Sequence, residues 1–238
     1  MYIDPNWRIL TIGDGDFSFS LSLTKLVNPA QITATIYDSE NELNDKYESH
    51  KLIQLRKTGV EVYCGFDVTD KNTWQGLQCE LFDLVIFQFP LVPALGSKQK
   101  FNNIYSVNTL NRVLLRTYLH HCFENFLDPK GANVAYITSK DVKPYIEWNM
   151  EHSLADGLDI HYQGKMAFEF ANFPEYQIRN VDRDKHVKQT AAFTHVWSSK
   201  KILEQLPPLV KPKKLTGNFC FVCQAGPFET QQEQKGHE

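Results

Sequence analysis

Two glycines one residue apart, Gly13 and Gly15, end an apolar run and stand directly before an amphipathic one. The stretch from Ile9 to Leu21 reads Ile-Leu-Thr-Ile-Gly-Asp-Gly-Asp-Phe-Ser-Phe-Ser-Leu, which predicts a strand, a tight turn and a helix start. Glycines at this spacing let the backbone turn sharply and let a ligand approach main-chain amides, as in the first turn of nucleotide-binding α/β domains. The third glycine of a dinucleotide fingerprint would fall at Ser18, so that pattern is incomplete. Asp14 and Asp16 would meet a pyrophosphate with like charge, whereas they suit a ligand carrying ammonium or sulfonium charge. The loop therefore favours S-adenosyl-L-methionine over a nicotinamide dinucleotide. A purely structural use of the same residues is a glycine turn with Asp16 or Ser18 capping the helix.

The remainder of the chain alternates strand and helix patterns. Phe17 to Leu26 reads as a helix, and Ile32 to Tyr37 as a second strand ending on Asp38. An acidic residue about 20 positions beyond the glycine loop, at a strand tip, is placed to hold ribose hydroxyls. Asp38 can equally cap the amphipathic helix expected over Glu40 to Lys57. A third strand, Val60 to Gly65, leads to Asp67, which can accept from an adenine amino group or cap the turn at Lys71 to Gln78. Phe82 to Phe87 is nearly all apolar, as a central parallel strand buried on both faces would be. It runs into Gln88-Phe89-Pro90 and a loop, Leu91 to Asn103, that contains Gly96. Ligands bind beyond the carboxyl ends of such strands. Gln88 offers an amide and Phe89 a ring for a planar substrate; the alternative is an ordinary strand-end turn with a packed Phe89.

A long helix is expected over Asn108 to Phe126, with His120 and His121 on its surface, followed by a strand over Ala132 to Ser139 and a helix around Tyr145 to Leu154. Two more strands are expected at Leu158 to Phe168 and Thr194 to Ser198. Between them Phe170 to Asn180 is aromatic, with Tyr176 and one arginine, Arg179, a composition able to stack on and hydrogen-bond an unpaired base. These patterns give one domain over residues 1–205. Residues 206–238 read as a linker with Lys211, Lys213 and Lys214 and a polar tail.

Composition narrows the partners. The 238 residues carry a net charge of −3 with mixed signs throughout, so no strongly basic surface announces nucleic acid. No apolar run approaches a membrane span, and the polar start is not that of a signal peptide, which points to an intracellular protein. Of the five cysteines, Cys64, Cys79 and Cys122 sit in or beside apolar segments as reduced thiols do. Cys220 and Cys223 form a lone pair without a second pair to complete a zinc site, although His237 is close in sequence, so no metal is expected.

The strand and helix order already suggests a methyltransferase-like sheet rather than a dehydrogenase. Ile12-Gly13-Asp14-Gly15-Asp16-Phe17-Ser18-Phe19-Ser20 closely resembles the hallmark of the 25S ribosomal RNA (uridine-N(3))-methyltransferase-like Rossmann family, which includes the amino-terminal part of ferredoxin-fold anticodon-binding domain-containing proteins. Asp38-Ser39, Gly65 to Thr69, Phe87 to Pro90 and Phe173 to Tyr176 follow in that family's order and spacing, over about Arg8 to Lys201. The resemblance implies a class I S-adenosylmethionine-dependent α/β fold: a mainly parallel seven-stranded sheet with helices on both faces and an antiparallel last strand. It implies cofactor contacts at Gly13, Asp14, Gly15, Asp38 and Asp67, with Asp16 in the same loop. The family usually has Asn-Phe-Pro-His where this chain has Gln88-Phe89-Pro90-Leu91. Glu175 replaces the glycine of the family's Tyr-Pro-Gly-Tyr motif, and only Arg179 remains of the basic run after it.

The expected function is methyl transfer from S-adenosyl-L-methionine to a nucleobase nitrogen, most closely uridine N(3) of ribosomal RNA. Gln88, Phe89 and Pro90 would hold the base edge, and Tyr176 and Arg179 would stack or meet phosphate. Lys140, Asp141 and water are the open choices for taking the ring proton. The protein is expected in the cytoplasm, or in the nucleus or nucleolus if a eukaryotic ribosomal role holds. The alternatives are a non-catalytic binding module on the same fold and a methyltransferase for a non-RNA substrate.

Overall fold

Short runs rich in β-branched and aliphatic residues form the inner strands β1 (Ile9–Ile12), β2 (Ile32–Thr35), β4 (Leu84–Gln88), β5 (Val134–Lys140) and β7 (Ala192–Ser198), while β3 (Glu61–Tyr63) and β6 (His161–Ala167) are more polar. In the computed structural model, which describes residues 1–74, 76–77, 81–93, 106–185, 187–201, 206–214, 216–220 and 226–237, they make one sheet in the order β3-β2-β1-β4-β5-β7-β6. β1 pairs in parallel with β2 and β4, β2 with β3, and β4 with β5, whereas β7 runs antiparallel between β5 and β6. This is the class I methyltransferase-like Rossmann sheet expected from the sequence.

Alternate residues of the central strands feed separate cores on the two faces. Ile9, Leu84, Ile86, Val134 and Tyr136 meet the helices α1 (Ser18–Leu23), α2 (Glu40–Lys46) and α3 (Leu52–Lys57) through Phe19, Leu23, Leu43, Leu52 and Leu55. Leu10, Val85, Phe87, Ala135 and Ile137 meet α4 (Val107–His121) through Leu115, Tyr118 and Leu119. Burial on both faces explains why these strands are continuous rather than alternating in hydrophobicity. The Tyr118 hydroxyl lies 2.9 Å from the carbonyls of Val85 and Tyr136, so it satisfies a polar group in the core while joining β4 to β5.

Several elements differ from their sequence patterns. The helix expected over Glu40 to Lys57 is two helices, because the chain is extended at Tyr47 (φ −119°, ψ 124°) and its amides turn outward to distant acceptors: Glu48 N donates to Asp184 Oδ2 at 3.1 Å and Lys51 N to Asp16 O at 2.8 Å. α2 begins with a capping box between Ser39 and Glu42. The helix expected around Tyr145 to Leu154 is only a 3₁₀ turn, Tyr145–Trp148, ended by Asn149 in the left-handed region. Arg112 donates to the Trp148 carbonyl and to Ser153 Oγ, which draws this segment onto α4 instead of into a helix of its own. α4 closes in a π turn, Cys122–Phe126, and His121 is buried against Trp74 rather than on the surface.

Beyond residue 205, Val210 exchanges two backbone hydrogen bonds with Lys165 of β6 (2.8 and 2.9 Å), and the polar tail contains a short helix, α5 (Gln231–His237). Cys64 and Cys122 are free thiols, while Cys79, Cys223, Gln78 and Gly96 lie outside the described residues. Among the described residues no helix is long and apolar enough to cross a membrane, and no three His, Cys, Asp or Glu side chains are grouped to hold a metal ion.

Candidate functional site

The glycine turn sits where the carboxyl ends of β1 and β4 meet. Gly13 and Gly15 hold φ of +61° and +70°, a region open to glycine without the Cβ penalty, and a Cβ on Gly13 would lie 2.9 Å from the Phe87 ring. Phe17, at φ 64°, adopts the same handedness just before α1 and is fully buried. A non-glycine residue held there marks a backbone fixed by its surroundings.

The acids of this turn serve the chain itself. Asp14 accepts from the amides of Phe19 (3.1 Å) and Ser20 (2.7 Å), capping α1 from outside its first turn. Burial pushes its carboxyl up to about 8, against the lowering pull of those hydrogen bonds. Asp16 accepts from Ser18 N at 3.0 Å and from Arg179 Nε at 2.6 Å.

One cleft of about 1430 Å³ runs along the carboxyl edge of the sheet, lined by Gly13, Asp14, Gly15, Asp38, Asp67, Gln88, Phe89, Pro90, Tyr176 and Arg179. Asp16 belongs to the same turn but lies behind Arg179 and does not line the cleft. Asp38, just past β2, is paired with Lys46 of α2 at 2.7 Å, and Asp67 Oδ1 accepts from both the amide (2.8 Å) and hydroxyl (2.7 Å) of Thr69. At the end of β4, Gln88 is buried; its Nε2 lies 3.7 Å from Met1 Sδ and its Oε1 has no hydrogen-bond partner. Phe89 follows at φ 48°, its amide bonded to Thr138 O at 2.9 Å.

The aromatic stretch folds back over this edge. Phe89 packs face to face with Phe170 (5.9 Å between centroids) and with Tyr176 (6.2 Å), and Tyr176 packs edge-on to Phe19 of α1. Tyr176 is buried, which holds its phenol well above the ordinary value. Arg179 donates to Asp16, to Asp184 Oδ1 at 2.8 Å and to Ser49 O at 3.2 Å, and its guanidinium lies over the Tyr47 ring at 5.4 Å. Lys140 ends β5, Asp141 follows it, and both lie outside the cleft lining.

The geometry adds Lys46, Tyr47, Phe170 and Asp184 to the residues singled out from sequence. Phe170 could have been found from the aromatic run that contains it. The other three carry no local signal, because their roles depend on partners far along the chain.

Residues 10–180 match the family model described as BMT5-like, rRNA (uridine-N3-)-methyltransferase BTM5-like. An uncharacterized protein of Arabidopsis thaliana is 30% identical over 174 residues, 71% of this chain and 79% of that protein. Heavy metal-associated isoprenylated plant protein 41 of the same plant is 31% identical over 184 residues, 76% of this chain; the match spans about a third (34%) of that longer protein. Among solved structures, the 30S ribosomal A1408 methyltransferase from an uncultured bacterium overlaps 83% of this chain and 95% of its own, at 9% identity and a TM-score of 0.43. The family model covers most of the sheet and every residue lining the cleft up to Arg179, and the chain belongs to the BMT5-like family of methyltransferases.

Proposed function

We propose that the protein transfers a methyl group from S-adenosyl-L-methionine to a ring nitrogen of an unpaired nucleobase, uridine N(3) in ribosomal RNA. The observation that carries this reading is the Gln88 carboxamide, buried at the end of β4 beside the glycine turn with its oxygen unpartnered. A buried unpaired acceptor costs about 1–3 kcal/mol, a cost that a ligand donor would relieve. When bound, the cofactor would supply a methyl group already activated on sulfur.

The residues present suit it. The acidic lining suits a cationic ligand; Asp38 would hold the ribose hydroxyls, with Lys46 sharing or releasing it, and Asp67 would accept from the adenine amino group. Gly13, Asp14 and Gly15 of the turn would hold the methionine end, with Asp16 behind them bracing Arg179. Gln88 and Pro90 would fix the edge of the acceptor base and Phe89 its face, so that the chain contributes alignment of donor and acceptor. Tyr176 packs against the Phe89 ring, and Arg179 fixes the segment after Tyr176 that lines the cleft.

A second reading, a binding module without transfer, is favoured by one feature: Lys46 already neutralises Asp38. Calorimetry with S-adenosyl-L-methionine, followed by transfer of labelled methyl to RNA, protein and small-molecule pools, separates them. Absence of binding at millimolar cofactor sinks the enzyme reading, and label confined to non-RNA pools replaces the acceptor.

A further inference from the structure

The carboxyl edge of the sheet changes electrostatic character from one side to the other. Over β2 and β3 the cleft presents Asp38, Glu42, Asp45 and Asp67 with Lys46. At β4 the lining is neutral: Gln88, Phe89 and Pro90. One strand further, where β5 ends and β7 begins, the character is cationic. Lys140 closes β5 opposite Ala192, and its Nζ donates to the carbonyl of Lys188 at 2.8 Å. Neither lysine has a carboxylate within ion-pair distance among the described residues; nearby Lys143 differs, since Glu147 stands 3.4 Å from it. Lys140 is half-buried, and burial alone lowers its pKa. Its ammonium stands 5.9 Å from the centre of the partly exposed Tyr145 ring. Asp141 is the exposed acid beside it.

A polyanion cannot run over the β2–β3 side without meeting like charge. Neighbouring strands lie about 5 Å apart and Lys140 follows Thr138, the register partner of Gln88, by two residues, so Lys140 and the Lys188 backbone it meets stand about a nucleotide's span from the β4 turn. We infer that Lys140 and Lys188 form a phosphate-binding site for the RNA strand whose base enters at Gln88-Phe89-Pro90, with Tyr145 as a stacking platform for an adjacent base or ribose. This rests on the functional reading above and adds to it a path for the backbone. A cationic cofactor and an anionic substrate are thereby kept on opposite sides of β4.

The test is fluorescence anisotropy of a labelled single-stranded uridine-rich RNA with the full chain and S-adenosyl-L-methionine, across a salt series. Lys188→Glu changes an exposed side chain and Lys140→Gln a half-buried one, so at least the first retains the fold. Each is expected to weaken RNA binding about tenfold and to lower the salt slope by about 0.7 per lost phosphate contact, with cofactor affinity kept within about twofold. Lys130→Glu, an equal charge change at the opposite edge of the sheet, is expected to leave RNA affinity as it was. If the unaltered protein methylates RNA and both variants bind it with unchanged affinity and slope, the phosphate site is wrong and the functional reading stands. If the unaltered protein neither binds nor methylates RNA, the functional reading falls and takes this site with it.

Discussion

Arg179 Nε donates to Asp16 Oδ2 at 2.6 Å, and the two side chains keep only 7% and 2% of their surface in contact with water. This buried ion pair fastens the strap after Tyr176 to the glycine turn and, through Ser49 and Asp184, to the break between α2 and α3. Removing one partner leaves a charge buried without compensation. Arg179→Ala is therefore expected to lower unfolding free energy by about 3–5 kcal/mol. Arg179→Lys should recover only part of it, because an ammonium cannot reproduce the guanidinium's planar fork. Denaturant titration of both variants is the check, and a loss below about 1 kcal/mol in Arg179→Ala would contradict the role.

The two glycines of the turn should differ in their tolerance. Alanine at either meets the left-handed backbone cost of about 1–2 kcal/mol. Only at position 13 does the added Cβ also press on Phe87, at 2.9 Å, whereas at position 15 the nearest atom is Arg179 Cβ at 3.7 Å. Gly13→Ala is expected to lower the melting temperature more than Gly15→Ala and to displace the Phe87 ring beneath the cleft. Equal melting temperatures for the two variants would show that the Phe87 contact relaxes freely.

Asp14 gives the fold a specific pH dependence. Its folded value near 8 lies above the ordinary 3.8, so the native state keeps a proton that the unfolded chain releases. The associated stability is fully present below about pH 4 and is lost as pH rises towards 8, by up to about 1.4 kcal/mol per unit. Asp14→Asn removes the titration. The stability of wild type relative to this variant should fall steadily between pH 5 and 8 in denaturant titrations, and a difference independent of pH would show that Asp14 stays ionised in the native state.

Gln88 should trade stability against function. Gln88→Leu removes the unpaired buried oxygen at similar volume and is expected to stabilise the protein by about 1 kcal/mol, while methyl transfer drops by at least tenfold. Thermal melts and labelled-methyl assays on the same preparation decide it; a variant as active as wild type would remove Gln88 from the site.

Lys46 occupies Asp38 in an ion pair at 2.7 Å. Asp38→Ala is expected to weaken cofactor binding at least tenfold by calorimetry, whereas Lys46→Ala should leave it within threefold or tighten it. Loss of binding in Lys46→Ala would instead make the lysine part of the cofactor site.

Much of the molecule was legible from local pattern. The all-apolar run before Gln88 gave β4, and the glycine pair gave the turn at the end of β1, because side-chain periodicity and positive φ are properties of a few neighbouring residues. The break inside residues 40–57 was not legible. Leu43 and Tyr47 keep helical spacing and so do Leu52 and Leu55, with only the five-residue step between Tyr47 and Leu52 out of phase, while the amides that leave the helix do so for Asp184 and for the backbone of Asp16.

The sequence by itself determined the order of the strands, the glycine turn and the family. Only the tertiary structure decided which acids face the cleft and which are spent on the fold: Asp16 lies behind Arg179, Asp14 caps α1, and Asp38 is held by Lys46. A carboxylate's role is set by its burial and its nearest cation or amide, and Asp16 and Arg179 stand 163 residues apart in the chain. No local pattern carries that separation.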